Sequence, residues 1–212
     1  MYVLHHTPDS AALIVRLVLE ELGLPYQIAS LDREGGALDS PSYRKLQPLG
    51  KIPALETPDG TMFETAAILL HLSEITGKLA PAPNTPERGQ FLKWLFFTSS
   101  NLHPTAMVYY YPHRVAGPEN ADAAKAQAAA TLKSLVKTLD DMVALEAPDW
   151  LSTAPSILGY YIAMLMRWLF EPCPATDYPA LHKILLALET RPAAIACAQA
   201  EGLGDMMFSN PY

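Results

Sequence analysis

Four stretches of the sequence set chemistry-bearing residues beside residues that start or break elements, so position decides what each can do. At Ile52-Pro53, the proline cannot donate to a sheet ladder and marks an edge or a special turn. In trans it is an ordinary turn proline. In cis, a state of about 5–6% of X–Pro bonds, it leaves the Ile52 N–H and C=O facing outward, able to pair with an extended peptide as an added strand. At Glu64-Thr65, the threonine is placed as a helix N-cap. A helix start attracts a carboxylate, and Glu64 offers a counter-charge to an ammonium. The plain alternative is a cap beside a solvated glutamate. In the turn Thr7 to Ala12, Thr7 and Ser10 are the only hydroxyls, and Ser10 sits where a serine caps a helix. Asn101-Leu102-His103 precedes Pro104, so His103 either faces a ligand or steadies a kink. Met107, Tyr109, Tyr110 and Tyr111 follow and either line an apolar pocket or pack a helix. His5 and His6 alternate across a strand and do not form a metal site by themselves. No Cys or His spacing matches a zinc motif.

The elements that must position these residues fall into two regions. Tyr2 to His6 reads as a strand. Ser10 to Leu22 reads as a helix, with Ile14, Leu17, Val18 and Leu22 on one face, Arg16 and Glu20 on the other, and Gly23 as the stop. Pro25 to Leu31 is a second strand, and a short helix over about Ser42 to Leu46 follows a Gly35-Gly36 loop. Ile52 to Thr57 and Thr61 to Glu64 flank Pro58-Asp59-Gly60, a hairpin signal. A helix then runs from Thr65 to Gly77. The order is β-α-β-α-β-β-α over residues 1–78. Residues 79–86 carry three prolines and form a linker. Residues 87–212 read as all-helical, with helices over about Pro86 to Tyr111 (kinked near Pro104), Glu119 to Glu146, Pro155 to Phe170, Tyr178 to Thr190 and Pro192 to Glu201.

Composition removes several functions. Fifteen Lys and Arg against 22 Asp and Glu give a net charge of -7, which repels a phosphate backbone and argues against nucleic acid. No basic amphipathic helix points to a membrane surface. The N-terminus lacks the basic start and apolar core of a signal peptide. The most apolar stretch, Ile157 to Met166, stops at Arg167, short of the roughly 20 residues a bilayer needs. Two cysteines, Cys173 and Cys197, make no disulfide framework and fit a reducing cytosol.

LEELGLPY (Leu19 to Tyr26), LQPLGKIPAL (Leu46 to Leu55), and Asp59-Gly60 followed by FETAAILLHL (Phe63 to Leu72) resemble the cytosolic glutathione transferases. WLFFTSSNLHP (Trp94 to Pro104) and YPALHKILLALETRPA (Tyr178 to Ala193) resemble the same family, in the same order. The resemblance implies an N-terminal thioredoxin-like α/β domain followed by an all-helical domain holding a second-substrate pocket. It implies a cis Ile52-Pro53 bond. It also implies that Lys51, Ile52, Pro53, Glu64, Thr65 and His103 bind glutathione, with Glu64 and Thr65 at the γ-glutamyl end. The layout is nearest the bacterial beta class, but that class's cysteine position falls on Ala11. Ser10, one residue earlier, is then the expected catalytic donor to the glutathione thiol, with Thr7, a histidine or backbone N–H groups as alternatives. The family's central-helix capping box is also incomplete, because Gly159 stands where its Asp would follow Ser156.

The expected function is a cytoplasmic, homodimeric transferase of alkyl or aryl groups that conjugates glutathione, its co-substrate, to small hydrophobic electrophiles in detoxification. No metal, nucleic acid or membrane is expected. The alternative, carried by Ala11 and by Asp9 beside Ser10, is a non-catalytic glutathione or hydrophobic-ligand binding protein on the same fold.

Overall fold

In the computed structural model, which describes residues 1–211, the chain forms two units. The first comprises Met1–Lys78 with Arg191–Leu203, and the second Leu79–Thr190 with the tail from Gly204. Tyr212, where the expected helical domain ends, lies outside the described residues.

The first unit contains β1 (Tyr2–His6), α1 (Ala11–Leu22), β2 (Tyr26–Ser30), α2 (Pro41–Leu46), β3 (Ala54–Thr57), β4 (Gly60–Phe63) and α3 (Thr65–Thr76). This is the β-α-β-α-β-β-α order read from the sequence. The four strands form one sheet in the order β2-β1-β3-β4. β1 runs parallel to β2, with Leu4 opposite Ile28, and antiparallel to β3, with Leu4 opposite Leu55. β3 and β4 form the hairpin expected at Asp59-Gly60.

Chemistry at both ends bounds α1. The Ser10 hydroxyl accepts the Ala12 N–H, and Gly23 at φ 67 lets the Leu24 N–H fold back to the Leu19 carbonyl. Leu13, Ile14, Leu17 and Val18 are fully buried. Each such side chain contributes about 1.5–3 kcal/mol relative to exposure.

The polar side of α1 is covered as well. Residues Pro192–Glu201 form a helix that packs on α1, so the region expected to be helical from 87 onward gives up its last helix to the first unit. In this helix Ala193, Ala194, Cys197 and Ala198 are buried, and two ion pairs flank them. Arg191 Nε donates to the Glu21 carboxylate at 2.9 Å, and Arg16 Nη1 lies 3.4 Å from Glu201 Oε1.

The second unit contains α4 (Pro86–Phe97), α5 (His103–Tyr110), α6 (His113–Ala116), α7 (Ala121–Glu146), α8 (Asp149–Ser152), α9 (Ile157–Trp168) and α10 (Pro179–Glu189). The helix of the first unit just described is α11 (Pro192–Glu201). The single helix expected from Pro86 to Tyr111 is interrupted by a π turn over Thr98–Leu102. Pro104 explains it, because its ring has no N–H and excludes the carbonyl four residues earlier.

The apolar run at 157–166 becomes α9, buried from Ile157 to Arg167. Ser156 accepts the Gly159 N–H at 3.0 Å, so half of the capping box survives without the acidic partner. Asp140 of α7 accepts the Ala180 and Leu181 N–H groups, each at 2.9 Å, and thereby caps α10 from a distance. The tail, which has no sequence period, is ordered by side chains. Glu189 accepts the N–H groups of Phe208 and Ser209, and the buried Arg167 donates to the Met207 carbonyl at 3.1 Å.

Gly50 resists substitution on two grounds. It sits at φ 60, and a Cβ there would lie 2.7 Å from the Leu38 carbonyl oxygen. Gly50→Ala should lower stability by about 1–2 kcal/mol from the left-handed backbone alone, with the close contact adding to it. A denaturant-midpoint comparison with wild type measures this.

Candidate functional site

The loop before β3 is held at nearly every residue. Gln47 turns its side chain to accept the Leu49 N–H at 2.7 Å, and its carbonyl accepts the Gly50 N–H at 3.0 Å. Arg44 donates to the Pro48 carbonyl at 2.7 Å. The Tyr43 hydroxyl donates to the Lys51 carbonyl at 2.6 Å. This leaves the Lys51 side chain exposed, Ile52 half-buried and Pro53 buried. The Ile52-Pro53 bond is cis. Among the described residues nothing pairs with the Ile52 N–H or C=O. A rigid loop therefore presents one open donor and one open acceptor on a single main-chain residue, the arrangement that adds an extended peptide.

At the start of α3 the structure shifts the expected cap by one position. Glu64, not Thr65, is the N-cap residue, at φ 70 and ψ 110, and no side chain caps the helix. A non-glycine residue in this region costs about 1–3 kcal/mol, a strain concentrated at ligand sites. Glu64 is exposed and Thr65 is the buried first residue of the helix. The Glu64 carbonyl accepts the Ile68 N–H at 3.0 Å, which leaves the N–H groups of the first turn without an intrahelical partner. Those donors and the positive end of the helix have the polarity that attracts a carboxylate, and the exposed Glu64 precedes them in the chain.

The turn before α1 is more occupied. The Ser10 hydroxyl donates to the Thr7 carbonyl at 2.6 Å while it accepts the Ala12 N–H at 3.3 Å. Its proton is therefore committed within the turn, and its role here is the cap. The Thr7 hydroxyl oxygen is buried without a partner. Asp9 stands at φ 48, and its N–H donates to Glu201 Oε2 at 2.9 Å. Glu201 escaped the sequence reading. Its signal was its place on the same face as the buried Ala194, Cys197 and Ala198, a carboxylate in an apolar stripe. The two histidines of β1 do point apart, His5 to Glu56 at 2.8 Å and His6 to Glu201 at 2.7 Å.

In the second unit, His103 is half-buried with Nδ1 2.7 Å from the Tyr161 hydroxyl and its ring 5.9 Å from that of Trp168. Tyr109 is buried and donates to Glu171 at 3.4 Å. Tyr110 donates to the Trp168 carbonyl, and Tyr111 lies under the Arg114 guanidinium. These contacts match the packing role for the tyrosines. A groove of about 360 Å³ in this unit is lined by Pro104, Val108, Ala124 and Ala128, not by Met107 or the three tyrosines.

Comparison with known proteins bears on both units. Residues 1–74 match the family model described as glutathione S-transferase, N-terminal domain. The glutathione S-transferase-like protein OpS6 of Beauveria bassiana is 30% identical over 84% of this chain and 85% of its own length. The disulfide-bond oxidoreductase YfcG of Escherichia coli is 28% identical over 97% of this chain and 98% of its own. A sphingomonad glutathione S-transferase solved in complex with glutathione is 28% identical with a TM-score of 0.80, over 95% of this chain and all of that one. Of two other relatives the chain spans less than half, 43% and 30% of their lengths.

Tyr43 gives the site a pH signature. Burial pushes its phenol up to about 12. The neutral form, which makes the bond to Lys51, is favoured by folding. Its contribution is fully present below the unfolded value of about 10 and is lost as pH rises through the folded value. Stability should therefore fall across that window. Tyr43→Phe should cost about 0.5–1.5 kcal/mol near neutrality and flatten part of the alkaline decline. Denaturation curves at neutral and alkaline pH test both statements.

Proposed function

The chain belongs to the glutathione transferase superfamily, and we propose that it binds glutathione and conjugates it to small hydrophobic electrophiles. The observation that carries this reading is the pair of open main-chain sites in the first unit, the Ile52 N–H and C=O beside cis Pro53 and the uncapped first turn of α3. A tripeptide laid along Ile52 pairs its cysteinyl backbone there. Its γ-glutamyl carboxylate takes the N–H groups from Thr65 onward, and its ammonium takes Glu64. Lys51, exposed just before the cis bond, supplies a cation for the glycyl carboxylate. His103, whose ring Tyr161 orients, keeps the ligand-side role that the resemblance assigns.

Catalysis requires a thiolate, because a free thiol titrates near 8.5 and reacts only when ionised. We assign the stabilisation to the amino end of α1, where helix polarity and the Ala11 N–H favour a negative sulfur. Ser10 contributes by holding that turn, and its hydroxyl would donate to sulfur only by leaving the Thr7 carbonyl. The thiolate then forms a bond to an electrophilic carbon. Either the leaving group departs with its electron pair, or the pair moves onto an activated double bond and is protonated.

Cys173 and Cys197 take no part, since burial raises both thiols, Cys197 to about 12. A protein-cysteine redox cycle is thus unsupported, although a relative is an oxidoreductase. We further propose a homodimer, cytoplasmic location and a detoxifying role. The committed Ser10 proton and the neighbouring Asp9 favour one second reading, a glutathione-binding protein without transferase activity.

Glu64→Ala should weaken glutathione binding by about 1.5–3 kcal/mol, the range for hydrogen bonds to charged groups. Calorimetric titration decides it, and unchanged affinity in a folded variant would remove Glu64 from the site. Ser10→Ala should lower stability by about 0.5–2 kcal/mol, as loss of an N-cap does. It should slow conjugation of chlorodinitrobenzene by less than about tenfold, equivalent to 1.4 kcal/mol of barrier. A wild-type protein that binds glutathione yet conjugates no electrophile in a broad screen would leave the binding reading.

A further inference from the structure

Glu201, the last residue of α11, has a side chain only 1% exposed, yet its carboxylate reaches three elements around the start of α1. Oε2 accepts the Asp9 N–H at 2.9 Å. Oε1 lies 2.7 Å from His6 Nε2 at the end of β1 and 3.4 Å from Arg16 Nη1 on α1. A carboxylate is kept out of water only when its oxygens are filled, and these partners fill them. Arg16 alone would satisfy an ion pair. The bond to the Asp9 main chain is different in kind, because Asp9 stands at φ 48, a left-handed conformation that a side chain disfavours, one residue before the Ser10 cap.

We propose that Glu201 is a positioning residue for the thiol of bound glutathione. By holding the Asp9 N–H it fixes the turn from Thr7 to Ser10 and so aims the positive end of α1, with the Ala11 N–H, at the sulfur. The inference rests on the glutathione-binding reading. Glu201 acts through geometry and not through its charge, which opposes a thiolate and is shared with Arg16 and His6. The hydroxyl of Ser10 and the carboxylate of Glu201 thus hold the same turn from opposite sides, one locally and the other from residues far along the chain.

Glu201→Asp tests this, since it keeps a charge for Arg16 and His6 but is one methylene too short to hold the Asp9 N–H as well. The thiol pKa of bound glutathione, read from thiolate ultraviolet absorbance, should rise by about one unit, a tenfold loss of thiolate below the pKa. Affinity for S-methylglutathione, which has no thiol proton, should stay within about twofold, so general damage is distinguished from misaimed N–H groups. An unchanged or lowered thiol pKa in the folded variant overturns the proposal. So does equal weakening of both ligands, which would make Glu201 a stabilising residue only.

Where the variant does not fold, hydrogen exchange in the wild type decides. The Asp9 amide should exchange at least about tenfold more slowly than exposed loop amides, and exchange at the open-loop rate overturns the clamp. A wild type that binds no glutathione would refute the binding reading together with this inference. A wild type that binds glutathione but whose thiol ignores Glu201 refutes the inference alone.

Discussion

Main-chain N–H and C=O groups at the ends of elements must be given partners, and the way this chain meets that demand organises both units. Several ends are closed by a specific side chain. Ser10 closes α1, Ser156 closes α9, Asp140 of α7 closes α10, and Glu189 gathers the N–H groups of the tail. In the first unit the start of α3 has no side-chain cap and the main chain of Ile52 stands open. They belong to consecutive pieces of one sheet-and-helix unit, separated only by the β3–β4 hairpin. The proposed ligand, a peptide with a free carboxylate and an ammonium, would supply partners to both.

Openness is useful only if the open groups stay aimed, and the surrounding contacts are rigid for that reason. Tyr43 holds the carbonyl just before Ile52, while Gly50 takes a left-handed conformation in contact with Leu38. Glu64 is held at φ 70 directly before the first N–H groups of α3. Strain of this kind is concentrated at ligand sites. The second unit shows the same economy in its core, where α9 is buried on every face and even its Arg167 ends on a main-chain carbonyl.

Much of this was legible in the sequence, and the misses have physical causes. Apolar spacing and end signals gave the strands and helices of the first unit in order, because Ser10, Gly23 and Gly77 are local stops whose effect needs no tertiary contact. The Ile52-Pro53 site came through resemblance, since spacing alone favours trans. The cap at α3 was misplaced by one residue because Thr is a better cap than Glu in isolation. The tertiary structure instead fixes Glu64 in a conformation that propensity disfavours. The docking of α11 on the first unit was invisible because it joins residues such as Glu21 and Arg191, or Arg16 and Glu201, more than 160 positions apart along the chain. The π turn before Pro104 was foreseen as a kink but not in form, since proline dictates the break and packing chooses how it is absorbed.

The central claim is that glutathione occupies the open main-chain groups of Ile52 and α3. Backbone amide NMR during a glutathione titration tests it most directly. The account predicts saturable shifts centred on the amides of Ile52, Thr65 and Ala66, with smaller ones in the turn from Thr7 to Ala12. Shifts absent from Ile52 and Thr65, or confined to residues far from both, would contradict it.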